Sequence, residues 1–182
     1  MKLKPIVVES EIAASTSQFK VERRRLRFST GFEHTFERLL DGDLRSVVVV
    51  PMLSDDRFIL INEYAAGVND YVFSLPMGTV KPGEDLLVAA DRELREEIGY
   101  GARELTHLRK LTLVPSHLQH TVDVVVARDL FPASAEGDEP EHIDCHTHSL
   151  TDIFELATQK EFREARTIAA LYLARDWLTA RG

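Results

Sequence analysis

Between Gly78 and Tyr100 the chain reads GTVKPGEDLLVAADRELREEIGY, which gathers Glu84, Glu93, Glu96 and Glu97 around Arg92 and Arg95. On a helix Glu93 and Glu97 share one side, and like charges at that spacing repel by roughly 0.2–0.5 kcal/mol. Arg92 and Glu96 make the favourable acid–base version of the same pair. A helix carries such a face either because it is solvated or because a divalent cation neutralises the acids. Carboxylate oxygens are hard ligands, so the cation would be Mg²⁺ or Mn²⁺ rather than Zn²⁺. Composition alone leaves the solvated face and the metal platform about equally supported.

The elements around this stretch have to hold it still. Asp85 reads as a helix N-cap, without a completed capping box because Val88 stands at the third position after it. Leu87, Ala90, Leu94 and Ile98 recur at helical spacing and turn one face to a core. Gly99 suits a left-handed helix end. Upstream, residues 47–53, 57–64 and 71–75 read as strands, the last stopped by Pro76 and Gly78. Downstream, 108–114 and 121–128 are strand candidates, "IDCHTHSL" is strand-like, and 151–156 and 164–178 read as terminal helices. In the last helix Ala165, Ile168, Ala169, Leu171, Tyr172, Ala174 and Leu178 make a broad apolar face. Near the N-terminus, 17–28 and 32–40 read as two exposed strands joined at Ser29-Thr30-Gly31, too little to stand alone.

Length and charge narrow the classes. A chain of 182 residues suffices for one well-buried core plus an extension, and a net charge of −8 repels a nucleic-acid backbone. The basic run Arg23 to Arg27 alternates like a strand, so a structural role outweighs nucleic-acid binding. Cys145 is the single cysteine, which excludes an intrachain disulfide and favours a reducing compartment. The apolar run Ile6 to Val8 is too short for a signal peptide, and no stretch approaches a membrane span. A cytoplasmic protein without membrane or nucleic-acid partners is expected.

Read as Gly78, five residues, Glu84, seven residues, then Arg92-Glu93-Leu94-Arg95-Glu96-Glu97-Ile98-Gly99-Tyr100, the stretch resembles the signature of the Nudix hydrolases without a gap, with Tyr100 in the final, usually aliphatic place. The resemblance implies an α+β Nudix fold, an α/β/α sandwich around a mixed sheet, with residues 1–44 as an N-terminal strand extension and 45–182 as the hydrolase domain. The wider chain resembles the branch of bacterial ADP compounds hydrolases, including "EGDEPE", and through them the ADP-ribose pyrophosphatases. Pro115 falls where hydrolases of ADP compounds carry a marker proline. The N-terminal strands match an extension that such pyrophosphatases use to form a homodimer.

The resemblance also implies a Mg²⁺-dependent hydrolase, with Mn²⁺ as a substitute, that cuts the phosphoanhydride of an ADP compound such as ADP-ribose, NADH or a diadenosine polyphosphate. The products would be AMP and the second phosphorylated moiety. The alternatives are an enzyme acting mainly on ADP-ribose and a Nudix-fold regulator that binds an ADP-like ligand without cutting it. Glu93, Glu96 and Glu97 would hold the metal, with Glu84 as a fourth ligand or a brace and the Gly78 backbone as a carbonyl source. Arg92 would pair with a box carboxylate and hold the turn rather than contact phosphate. The resembled pyrophosphatases draw a base from a later loop, here "EGDEPEHID", where Glu141 fits best and Glu139 is the rival.

Substrate contacts are less defined. Tyr64, Tyr71 and Phe36 could wall an adenine or be core. Arg38 and Arg57 could meet phosphate, and a surface ion pair explains either equally well. His117 and His120 come after Pro115 and could reach a phosphate or ribose. "HIDCHTH" supplies His142, Cys145, His146 and His148, but an extended strand turns the three histidines to one face and Cys145 to the other, against a Zn²⁺ site. Two departures from the relatives bear on specificity: Asn62 stands where Arg often precedes Glu63-Tyr64, and Val72 stands where Glu often comes after the aromatic Tyr71.

Overall fold

The computed structural model describes residues 2–137 and 140–181. In chain order it contains β1 (Ile6–Ser15), β2 (Lys20–Arg27), β3 (Glu33–Pro51), β4 (Arg57–Ala65), β5 (Asp70–Ser74), β6 (Met77–Val80), α1 (Leu86–Glu97), β7 (Tyr100–Thr112), β8 (Leu118–Pro132), β9 (Asp144–Ser149), a short α2 (Ile153–Leu156) and α3 (Ala165–Thr179). The class is α+β with a mixed sheet. Two compact units divide the chain: Met1–Leu44 with Thr112–Thr121, and Arg45–Leu111 with Val122–Gly182.

In the first unit β1, β2 and the start of β3 form an antiparallel meander. Gly31 turns the β2–β3 hairpin at a φ of 84°, a left-handed conformation that disfavours other residues. The arginine run of β2 is matched strand by strand. Arg23 pairs with Glu11 and Glu37, Arg25 with Glu9 and Glu33, and Arg27 with Glu33. Glu22, buried between Arg24 and Arg38, also accepts from Ser10. The basic run is thus a cross-strand ion-pair lattice. Within the same unit Leu39 N–H donates to the His117 carbonyl at 2.8 Å, and His117 N–H donates to Val114.

In the second unit the end of β3 lies in one sheet with β6, β7 and β8, while β5, β4 and β9 form another. Val47, Val49, Ile59, Ile61, Val125 and Ala127 join Ala89, Ala90, Leu94 and Ile98 of α1 in one core. α1 starts where Asp85 accepts hydrogen bonds from Leu87 and Val88 N–H, and Gly99 lies just past its end at a φ of 73°. α3 is capped by Glu164 and fixed to the core by Leu75 N–H, which donates to Thr167 Oγ1 at 3.0 Å.

Four features differ from the sequence expectations. β1 is a full strand. β3 runs unbroken over 19 residues instead of ending before Val47. Residues 77–80 form β6 in spite of Gly78, because β3 supplies a partner in register from Arg45↔Val80 to Val48↔Met77. The buried stripe of α3 is Thr167, Ala170, Leu171 and Ala174, while Ala165 is exposed.

Candidate active site

The acids of α1 meet β6 through one arginine. Arg92 uses all five of its N–H donors. Nε donates to Glu84 at 2.9 Å, and Nη1 to Glu93 at 2.7 Å and Glu96 at 2.9 Å. Nη2 donates to the Thr79 carbonyl at 2.9 Å and to the second Glu84 oxygen at 3.1 Å. The Glu84 oxygen at Nη2 also accepts from Lys81 N–H at 2.8 Å. Arg92 therefore ties the turn before α1, the helix and β6 into one piece. Its hydrogen bonds hold the Glu84 carboxyl below the usual carboxylate range, and Glu84, foremost among its partners, raises Arg92 above its own ordinary value.

Glu93 is buried, at 6% exposure, and its carboxylate lies against the backbone of Gly78. A Cβ on residue 78 would overlap that carboxylate, which is why the box opens with glycine. Glu97, one turn on, accepts from Met77 N–H at 3.2 Å. A cleft of about 480 Å³ opens here, lined by Gly78, Lys81, Arg92, Glu93, Glu96, Glu97 and Glu136. A neighbouring hollow shares Glu96 and Glu97 and adds Glu141, His142 and Cys145.

The matching half of the site comes from β5 and the segment before β9. Tyr71 Oη donates to Glu141 Oε1 at 2.7 Å, and the rings of Tyr64 and Tyr71 meet edge to face at 5.8 Å. Both tyrosines are about half exposed.

The Nudix domain profile matches residues 42–171, the span that carries every element of this second unit's site. The chain belongs to the Nudix family. It is 41% identical to the ADP compounds hydrolase NudE of Escherichia coli (strain K12) over 179 residues, covering 98% of this chain and 96% of that one. Identity to the ADP-ribose pyrophosphatase of Bacillus subtilis (strain 168) is 27% over 128 residues, 69% of each chain. A crystal structure of an ADP compounds hydrolase, 40% identical, superposes with a TM-score of 0.93 over 100% of this chain and 98% of the other. The architecture is the α/β/α Nudix sandwich, and the chain is a catalytic Nudix hydrolase.

Nudix hydrolases use a divalent metal. The donor set fits one by chemistry: the cleft at Gly78 offers carboxylates and carbonyl oxygens and neither histidine nor thiol. Its four glutamates outnumber its two cations, Arg92 and Lys81, so the lining carries a net negative charge. Among the described residues no three acidic, imidazole or thiol groups converge closely enough to hold an ion as they stand. Here Glu84, Glu93 and Glu96 surround the Arg92 guanidinium instead.

Glu139 lies outside the described residues. Arg57 opens β4 opposite Ser149, seven residues or about 23 Å along the strand from Tyr64, and so lies away from the Glu97–Glu141 end. Arg38 is paired with Glu22, Phe36 packs on Phe28 and His34, and Pro115 and His117 sit in the β7–β8 turn, all within the first unit. Val72 is buried, pointing away from the face that carries Tyr71. His142 precedes β9. His146 is exposed, while His148 is half-buried against Phe58 and Phe73 rather than open to solvent. Cys145 lines the hollow beside Glu97, and burial raises its thiol above the ordinary value. Sequence reasoning missed Glu136. It sits in the same acidic loop as Glu141, and nothing in the local pattern separates one acid there from another.

Proposed function

We propose that the protein hydrolyses the phosphoanhydride of ADP compounds, giving AMP and a second phosphorylated moiety, with Mg²⁺ as the working cation and Mn²⁺ as a substitute. The Arg92-braced carboxylate cluster beside Gly78 carries this assignment, and the similarity to ADP compounds hydrolases along nearly the whole chain supports the substrate class. Water adds to one phosphorus, the bridging P–O bond breaks, and the water's proton passes to a carboxylate.

Glu93, Glu96 and Glu97 would hold the cation. When bound it neutralises pyrophosphate charge and makes water more acidic. Glu84 is better suited to bracing, since Arg92 and Lys81 N–H engage both of its oxygens. Glu141 is the proton acceptor: its Oε1 is taken by Tyr71, which leaves Oε2 to receive a proton. Tyr64 and Tyr71 present exposed aromatic rings at this end, a surface on which an adenine can stack.

Two copies are proposed to pair through the first unit, whose Ile6, Ile12, Phe19 and Phe32 are more than half exposed. No described helix is long and apolar enough to cross a membrane. A cytoplasmic setting is proposed from the lone, unpaired Cys145.

Glu97→Gln tests the assignment, since it removes one charge and keeps the shape. Hydrolysis should nearly vanish while the thermal transition stays in place. Wild-type turnover at limiting Mg²⁺ would remove Glu97 from the metal set.

A further inference from the structure

We infer that Tyr71 is the positioning residue for the general base: its phenol holds Glu141 in the orientation that accepts the proton from water. The inference rests on the assignment of Glu141 as the base. It gives Tyr71 a second task, carried by its hydroxyl and separable from any stacking by its ring.

Glu141 lies between β8 and β9 in backbone without regular hydrogen bonding. A glutamate in such a segment samples several rotamers, and only some aim a carboxylate at a bound substrate. Tyr71 removes that freedom. Its Oη donates to Glu141 Oε1 at 2.7 Å, a short, charge-assisted bond linking residues seventy positions apart. One oxygen is fixed and the other is left for the water.

The donor is itself well fixed. Tyr71 stands on β5, opposite Tyr64 of β4. The Tyr64 ring packs against it at 68° between planes, and Tyr64 Oη donates to Asn69 Oδ1 at 2.6 Å. Asn69 turns the β4–β5 connection at a φ of 53°, which asparagine tolerates better than most residues. On the other side Asp70 accepts from Tyr71 N–H at 3.1 Å and pairs with Arg163 at 2.9 Å. The direction of the bond is fixed as well, because the Glu141 carboxylate raises the Tyr71 phenol above its ordinary value, so the phenol remains the donor at neutral pH.

Tyr71→Phe deletes the hydroxyl and keeps the ring. The decisive experiment measures kcat and KM on ADP-ribose with saturating Mg²⁺ for the wild type, Tyr71→Phe, Glu141→Gln and the double variant, with a thermal melt of each. Misplacing a reacting group costs up to about 10²-fold, so Tyr71→Phe should lower kcat roughly 10–100-fold with KM and melting temperature unchanged. The double variant should be no slower than Glu141→Gln alone, because the hydroxyl acts only through that carboxylate. If Glu141→Gln is slow but Tyr71→Phe turns over normally, the inference fails and the base assignment stands. It also fails if the two losses multiply, which would put the hydroxyl in direct action elsewhere. A near-normal rate for Glu141→Gln removes the base assignment, and the inference with it.

Discussion

The carboxylate of Glu93 occupies the space where a side chain on residue 78 would begin. Gly78 lies in β6, opposite Val47 of β3, and Glu93 is a buried residue of α1. A helix carboxylate and a strand backbone are therefore in contact, and the strand is held in turn by the sheet. Gly78→Ala should push the Glu93 carboxylate aside without unpairing β6, because alanine keeps the backbone N–H and C=O. Displacement on the scale of 1 Å lowers turnover by about 10²-fold, so kcat should fall by that order while the protein still folds. Steady-state kinetics beside circular dichroism would check this. Unchanged kcat would mean that the Glu93 carboxylate has no fixed place in the chemistry.

Arg92 is the hub that lets three acids share a small volume. Arg92→Ala removes the guanidinium that Glu84, Glu93 and Glu96 share. Breaking a largely buried ion pair costs about 3 kcal/mol or more, and these four side chains retain only 9–20% exposure. The variant should melt lower than the wild type and should regain more of its melting temperature on adding Mg²⁺. An equal Mg²⁺ response in both proteins would separate the arginine from the cation.

The same hub sets an acid limit. Arg92 depresses the Glu84 carboxyl in the folded state, so this group contributes stability above the unfolded carboxylate value, about 4.3. The contribution is lost as pH falls through the folded value, when Glu84 takes up a proton. Glu84→Gln should thus be less stable than the wild type at pH 7, and the gap should close below about pH 4. Urea titrations at pH 7 and near pH 3.5 would measure it. A gap that widens on acidification would contradict the sign.

The exposed apolar residues of β1 and the β2–β3 hairpin should be covered by a second copy. Sedimentation equilibrium at micromolar concentration should give a dimer, and Phe32→Glu should weaken it. A monomeric wild type would leave that surface without the proposed partner.

The helix of the site is legible in the sequence because its signals agree locally. Asp85 caps it, Ala90 and Leu94 face the core, and Gly99 ends it. β3 is harder to read. Gly42 between two aspartates suggests an interruption, since all three residues are depleted in strands, yet β3 is one strand, paired with β2 as far as Leu40 and with β6 from Arg45. β6 is hidden for a similar reason: Pro76 and Gly78 weaken local strand propensity, and the pairing with β3 that overrides it is non-local. In the site, the acids of α1 can be read from spacing, but Arg92's engagement of Glu84 and Thr79 needs the β6 turn folded against the helix. The Tyr71–Glu141 bond joins positions too distant for any local pattern, and Glu136 differs from its acidic neighbours only in where the loop places it.

The most direct test of the account is AMP release. The full-length protein would be incubated with ADP-ribose, NADH, diadenosine triphosphate and ADP-glucose, each with Mg²⁺ and with a chelator, and the products separated by chromatography. AMP together with the second phosphorylated moiety should appear from at least one of these compounds, and only with the cation. Binding of the same compounds without any AMP in Mg²⁺ or Mn²⁺, or equal release in the presence of chelator, would contradict it.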